Sequence, residues 1–193
     1  MAQSANFLEE LMAAGRGLIR LLVGDRRAGS YFDFSQRGLA GSFIALLIVA
    51  GLDAVLPLIL SSRHDSIATS MFQLVVIYGF QLGFTTLVLR QLKRMDALLP
   101  YMVSYNWLNF FATLILGAIF AAGIGASIAI LVIGIMAIVI EVNIARLVMT
   151  LSPLHIAFMI GAQIIGVLIG LLLLMLLFPL PPDVAAELTT AGL

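Results

Sequence analysis

The spacing of apolar positions divides the chain at about residue 30. From Asn6 to Val23 they recur with a helical period. At 100° per residue, Phe7, Leu8, Leu11, Met12, Leu18, Ile19 and Leu22 fall within about 140° of arc, while Glu9, Arg16 and Arg20 share the opposite side. An amphipathic helix follows from this pattern. Gly15 and Gly17 each cost it about 1 kcal/mol relative to alanine, so it forms against a surface, either lipid headgroups or the rest of the protein. Gly24–Ser30 reads as a loop. Beyond it the apolar residues run on without a polar face, in stretches of membrane-spanning length.

Five spans are predicted. The first runs from Gly38 to Leu60, interrupted by Asp53 and Pro57. It is preceded by Tyr31, Phe32 and Phe34 as an aromatic belt and started by an Asp33/Gln36 capping box. The second covers Met71–Leu89. After a basic turn, Arg90–Asp96, the interfacial stretch Pro100–Trp107 leads into a third span ending near Ala122, with Tyr101, Tyr105 and Trp107 as an inner belt that would put Asn106 and Asn109 near headgroups. No charge occurs between Asn109 and Ile140, which is too long for one crossing of roughly 20 residues. The chain is therefore expected to reverse at Gly123, Gly125 and Ser127. The fourth span begins near Ala126 and ends at Glu141–Arg146. The fifth starts at Pro153, capped by Ser152, and ends at Phe178 before a proline-rich, acidic tail. The fold class is thus an all-α polytopic membrane protein: residues 1–30 a cytoplasmic amphipathic helix and loop, 31–178 a five-helix transmembrane domain, and 179–193 a short external tail.

Composition agrees with this reading. The chain is 62% hydrophobic and 10% charged, against roughly a half and a quarter in soluble domains. With no cysteine there are no disulfides or thiolate metal sites, and zero net charge argues against nucleic acid as a partner. Nine of the ten basic residues lie in the N-terminal region and in the second and fourth loops. Positive-inside bias then gives a cytoplasmic N-terminus and an external C-terminus. Arginine in preference to lysine hints at a GC-rich bacterial genome, hence a bacterial inner membrane.

The polar residues within the spans carry the candidate chemistry. Asp53 lies roughly 6 Å outward of the bilayer centre at 1.5 Å per residue. Intramembrane acids are functional candidates. One reading makes Asp53 a proton-carrying carboxylate of a small proton-linked transporter or channel subunit, with Gln73 and Gln81 near its path. The other makes it a hydrogen-bonded structural residue that satisfies a neighbouring helix or backbone freed by Pro57. Glu141, Asn143 and Arg146 cluster at the inner end of the fourth span, as snorkelling charges or as a docking site for a partner. The ridge Gln73, Gln81, Thr85 and the ridge Tyr105, Asn109, Thr113 serve as interhelical glue or, less favoured, line a hydrated path. Ala162, Gly166 and Gly170 on the fifth span, and Gly117, Ala121 and Gly125 on the third, are spaced for close helix contact. Arg16, Arg20, Arg26 and Arg27 are placed for the membrane surface.

Catalysis is not expected. His64 and His155 fall on opposite sides, so they cannot share a haem. Ser127 is far from His155, and Asp53 and Glu141 belong to opposite leaflets. The sequence contains no P-loop, HExxH or GxSxG motif. No cofactor is expected. The layout of amphipathic front, closely spaced spans and short tail resembles the Yip1-type small membrane proteins. The resemblance covers Tyr31 to Phe178, and no site residue is carried over from it. It implies a membrane-organising or partner-binding protein, an accessory subunit or scaffold that contacts lipid and either a membrane-protein partner or a second copy of itself.

Overall fold

The structure, a computed structural model, describes residues 6–60, 67–123 and 126–178; of residues 53, 55–60 and 126 it describes the backbone alone. Gly125 and the tail from residue 179 lie outside the described residues. Six α-helices follow in order: α1 Phe7–Leu22, α2 Gln36–Leu60, α3 Ile67–Gln91, α4 Leu98–Ala121, α5 Ala126–Asn143 and α6 Pro153–Leu177. No strand occurs among the described residues. Four stretches are long and apolar enough to cross a membrane: Ile67–Gln91, Met95–Ala121, Ser127–Val148 and Pro153–Leu177. The corresponding described stretch of α2, Gln36–Leu52, is shorter. A multi-pass membrane protein fits these helices.

Local chemistry accounts for most helix ends. The Asn6 N–H donates to Glu9 Oε2 at 3.1 Å to open α1. Pro153 occupies the first turn of α6, and Ser152 Oγ accepts the His155 N–H. The start of α2 corrects the expected Asp33/Gln36 box. Ser35 is the capping residue, accepting the Gly38 N–H on Oγ at 3.2 Å, while Asp33 Oδ1 accepts from the Ser35 N–H. Gly38 permits this arrangement, because a Cβ there would collide with the Asp33 carbonyl. Gly123, at φ +69°, ends α4 in the left-handed conformation glycine favours. At the far end of α5 the helix widens into a π-turn, Ile144–Val148.

The helices pack as two groups. α3 lies along α6, α2 lies along α4, and α1 crosses α4 and α5. The α3/α6 pair is close because Gly166 is buried: a Cβ there would stand 2.9 Å from the Phe84 ring and 3.0 Å from the Phe80 carbonyl. Gly170 faces Ile77 and Phe80 in the same way. The ridge through Ala162, Gly166 and Gly170 is therefore an internal contact. The ridge on α4 is not. Gly117 has nothing within 4 Å and Ala121 is exposed.

Of the two surfaces expected for α1, the structure shows the protein, and the aromatic residues beneath it correct the two expected belts. α1 rests on protein along one edge of its apolar arc, burying Ala14, Gly17, Leu18 and Leu21. Leu8, Met12, Ile19 and Val23 stay exposed along the other. The glycines explain this seating. Gly15 lies against the Phe111 ring, and a Cβ on Gly17 would be 2.7 Å from the Phe32 ring. Phe32 is therefore buried under α1 and stacked with Phe34, its ring centroid 6.0 Å away, and so is no lipid belt residue. The inner belt is likewise internal. Trp107 and Tyr101 are 0% and 1% exposed, and Trp107 sits among Phe7, Phe110 and Phe111. Aromatic spacing at a span end cannot distinguish lipid from a covering helix, and α1 supplies the cover.

Gly166→Ala is expected to cost about 1–3 kcal/mol by overpacking α6 on α3. Gly117→Ala should be neutral or gain up to about 1 kcal/mol of helix propensity. Reversible unfolding in mixed micelles measures both, and equal effects at the two positions would contradict the packing described.

Candidate functional site

Two hydrogen-bonded runs of buried and half-buried polar side chains lie where the helix groups meet, adjoining through the Tyr78 and Tyr105 rings, 6.3 Å apart. At the centre of the first, Gln163 of α6 donates through Nε2 to Tyr101 Oη at 2.7 Å and to Thr85 Oγ1 at 2.9 Å. Tyr101 donates in turn to Glu141 Oε1 at 3.3 Å, and Thr85 to the Gln81 carbonyl oxygen. Tyr105, stacked on Tyr101 with centroids 5.3 Å apart, donates to Gln81 Oε1 at 2.8 Å. Tyr78 donates to Asn106 Oδ1 at 2.6 Å, and Asn106 Nδ2 donates to Ser42 Oγ at 3.1 Å. Ser42 closes the run on the Leu39 carbonyl. Ser42, Thr85, Asn106 and Gln163 are all buried. Asn106 is therefore an interior residue, correcting its expected place near headgroups. Its burial follows from α2, whose Ser42 and neighbouring Ala45 leave room for the amide.

Sequence spacing identified part of this seam. The α3 ridge contributes Gln81 and Thr85, and the α4 ridge contributes Tyr105. Asn109 instead donates to the Tyr105 carbonyl of its own helix. Gln163, Ser42 and Tyr78 were missed as site residues. The signal for Gln163 was present, because it is the sole polar side chain between His155 and residue 178, and an isolated amide in an apolar span needs a partner.

The cluster Glu141, Asn143, Arg146 divides three ways. Glu141 is half-buried and accepts a hydrogen bond from Tyr101. Asn143, 8% exposed, donates through Nδ2 to the Leu21 carbonyl at 2.8 Å and so fastens the end of α1. Arg146 alone is exposed, carried outward on the π-turn. The physical reason is the fold of α1 over α5, which sequence position within a span end does not reveal.

Of the proposed transport trio, Gln73 and Gln81 are held apart. Asp53 lies in α2, with its side chain outside the described residues. Gln73 is exposed and lines a recess between α2, α3 and α6 with Ala54 and Leu174. Gln81 is eight residues away, about 12 Å along the helix, and is held by Tyr105.

Of the N-terminal arginines, Arg20 pairs with Asp25 at 3.1 Å, while Arg16, Arg26 and Arg27 have exposed side chains. Where α1 meets α2, burial pushes the Glu10 carboxyl up from 4.5; Asp33 adds to the rise and Arg37 opposes it. No cluster of three or more His, Cys, Asp or Glu suited to a metal occurs among the described residues.

Comparison with protein-family models, with curated proteins and with solved structures found no match. The Yip1-type layout therefore gains no support from them.

Proposed function

We propose that the chain is a five-span, non-enzymatic protein of a bacterial inner membrane, with its N-terminus cytoplasmic, that acts by binding lipid or another membrane protein. The seating of α1 carries this reading. One edge of the helix is fixed to the bundle through Leu18, Leu21 and the Asn143 bond. The other presents Leu8, Met12, Ile19 and Val23 outward, next to exposed arginines. A helix held in this way keeps an apolar strip and a basic border available at the membrane surface, which is the composition interfacial recognition uses. α2 supplies the fifth crossing in this reading, and the alternation of basic loops sets the orientation.

A cytoplasm-active reporter on the N-terminus and a periplasm-active reporter on the C-terminus should both be active; both ends in one compartment would end the five-span reading. A photo-cross-linker at Ile19 or Val23 in native membranes should give adducts of discrete mass. Labelling as diffuse as that from exposed Ile128 of α5 would count against specific binding.

A second reading, a proton-linked carrier, is favoured by one observation: a carboxyl, Glu141, hydrogen-bonded among tyrosines and amides where two helix groups meet. Many carriers move by rocking one helix group against another around a site in the membrane interior. In this reading Glu141 joins Asp53 as a candidate carboxyl. Glu141→Gln should abolish proton flux in proteoliposomes while the bundle still folds, and no flux from the parent protein would remove this reading.

A further inference from the structure

The π-turn and the loop after α1 together form a small basic recess. Arg26, Arg146, Leu147 and Thr150 line it. The turn Ala28–Tyr31 packs on Ile144–Val148, which brings the two arginines together from positions 120 residues apart in sequence. Arg146 lies over Gly24, where a Cβ would be 3.6 Å from its Nη2; Gly24 has φ +74°.

Nothing among the described residues neutralises this pair. Asp25, the adjacent acid, is engaged elsewhere: Oδ2 accepts from Arg20 and Oδ1 from the Arg27 N–H. Asp96 is held by Arg94, whose Nη2 also donates to the Met149 carbonyl at 2.8 Å and to Thr150 Oγ1 at 3.2 Å. Thr150 is thereby fixed at φ +54°, an uncommon conformation for a β-branched residue. Strained residues of this kind gather at ligand-binding positions. Two guanidiniums sharing one recess repel each other unless an anion lies between them.

An apolar cleft of about 230 Å³ lies between α1, α4 and α5, lined by Gly15, Ile19, Leu22, Phe111, Ile133 and Ile140 among others. Its Leu22/Ile140 end is close in sequence to the recess. Ile140 precedes Arg146 by six residues, about 9 Å of helical rise, and Leu22 precedes Arg26 by four. A charged recess near an apolar cleft has the chemistry to take a phosphate joined to an acyl chain. Basic pockets between helices on the cytoplasmic side are known to take such headgroups.

We propose that Arg26 and Arg146, with Thr150 beside them, bind the phosphate of an anionic phospholipid whose acyl chain occupies the cleft under α1. This rests on the lipid-binding form of the function proposed above.

The full chain, reconstituted in nanodiscs of phosphatidylcholine mixed with phosphatidylglycerol, is released into native mass spectrometry and its retained lipids counted. One phosphatidylglycerol should remain with the parent chain. Arg26→Gln and Arg146→Gln should each weaken retention roughly fivefold, the effect of losing one arginine at an anionic surface. Arg90→Gln, an exposed charge in the last turn of α3, should leave it unchanged. Both recess arginines are exposed, so unchanged circular dichroism and melting are expected in all three variants. Equal losses in Arg90→Gln would reduce the effect to diffuse charge attraction and overturn the proposal. So would displacement of the lipid by inorganic phosphate, which would identify a free anion as the occupant. Alkaline extraction of cell membranes containing the parent chain separates the two failures: a chain that washes off removes the membrane reading itself, whereas an integral chain retaining no phosphatidylglycerol removes only this site.

Discussion

Helices in lipid gain nothing by hiding leucine from leucine, so close packing and interhelical hydrogen bonds must hold them together. In this molecule the two devices divide the work. Within the α3/α6 pair, Gly166 and Gly170 let the backbones approach and dispersion contacts suffice. Between that pair and α4 the backbones are not in close contact, and the space is filled by Tyr78, Tyr101 and Tyr105. A tyrosine ring placed between apolar helices brings a hydroxyl with it, and each hydroxyl needs a partner. Gln163, Asn106, Gln81 and Glu141 provide those partners. The polar seam is thus a consequence of choosing large rings as spacers. Three of these bonds, Tyr78–Asn106, Tyr105–Gln81 and Gln163–Tyr101, join the two groups, and at about 0.6 kcal/mol each they contribute roughly 2 kcal/mol toward keeping the groups in register.

Much of the helical order could be read from the residues. The start of α6 at Pro153, the reversal near Gly123 and the periodic face of α1 are all local chemistry, and local chemistry is visible in a sequence. Helix ends differed by a few residues where a 3₁₀ turn, Met95–Ala97, leads directly into α4. What was not legible was the third dimension. Gly15 and Gly17 read as a cost to α1, and only the Phe111 and Phe32 rings seated on them show the return. Trp107 and Tyr101 have the spacing of a lipid belt until α1 and α6 are laid over them. Asn143 resembled a surface amide because its acceptor, the Leu21 carbonyl, lies more than a hundred residues earlier. Each of these errors concerns a side chain whose partner belongs to a distant element. No pattern read within a single window could have supplied that partner.

The end of α5 is where the separate parts of the molecule meet. Within six residues, Glu141 faces the seam, Asn143 fastens α1, and Arg146 faces outward from the π-turn. A regular α-helix would place Glu141 and Arg146 about 140° apart. The π-turn, whose Met149 N–H donates to the Ile144 carbonyl, holds an additional residue in the turn and redirects the chain beyond it. π-turns of this kind are often found at functional positions. The end of α5 and its π-turn therefore connect an interhelical hydrogen bond, the anchor of α1 and an exposed cation. Any ligand on Arg146 therefore sits three residues from Asn143, which fastens α1, and five from Glu141. That proximity puts the surface recess and the buried seam at the same end of α5, whichever of them the protein uses for its work.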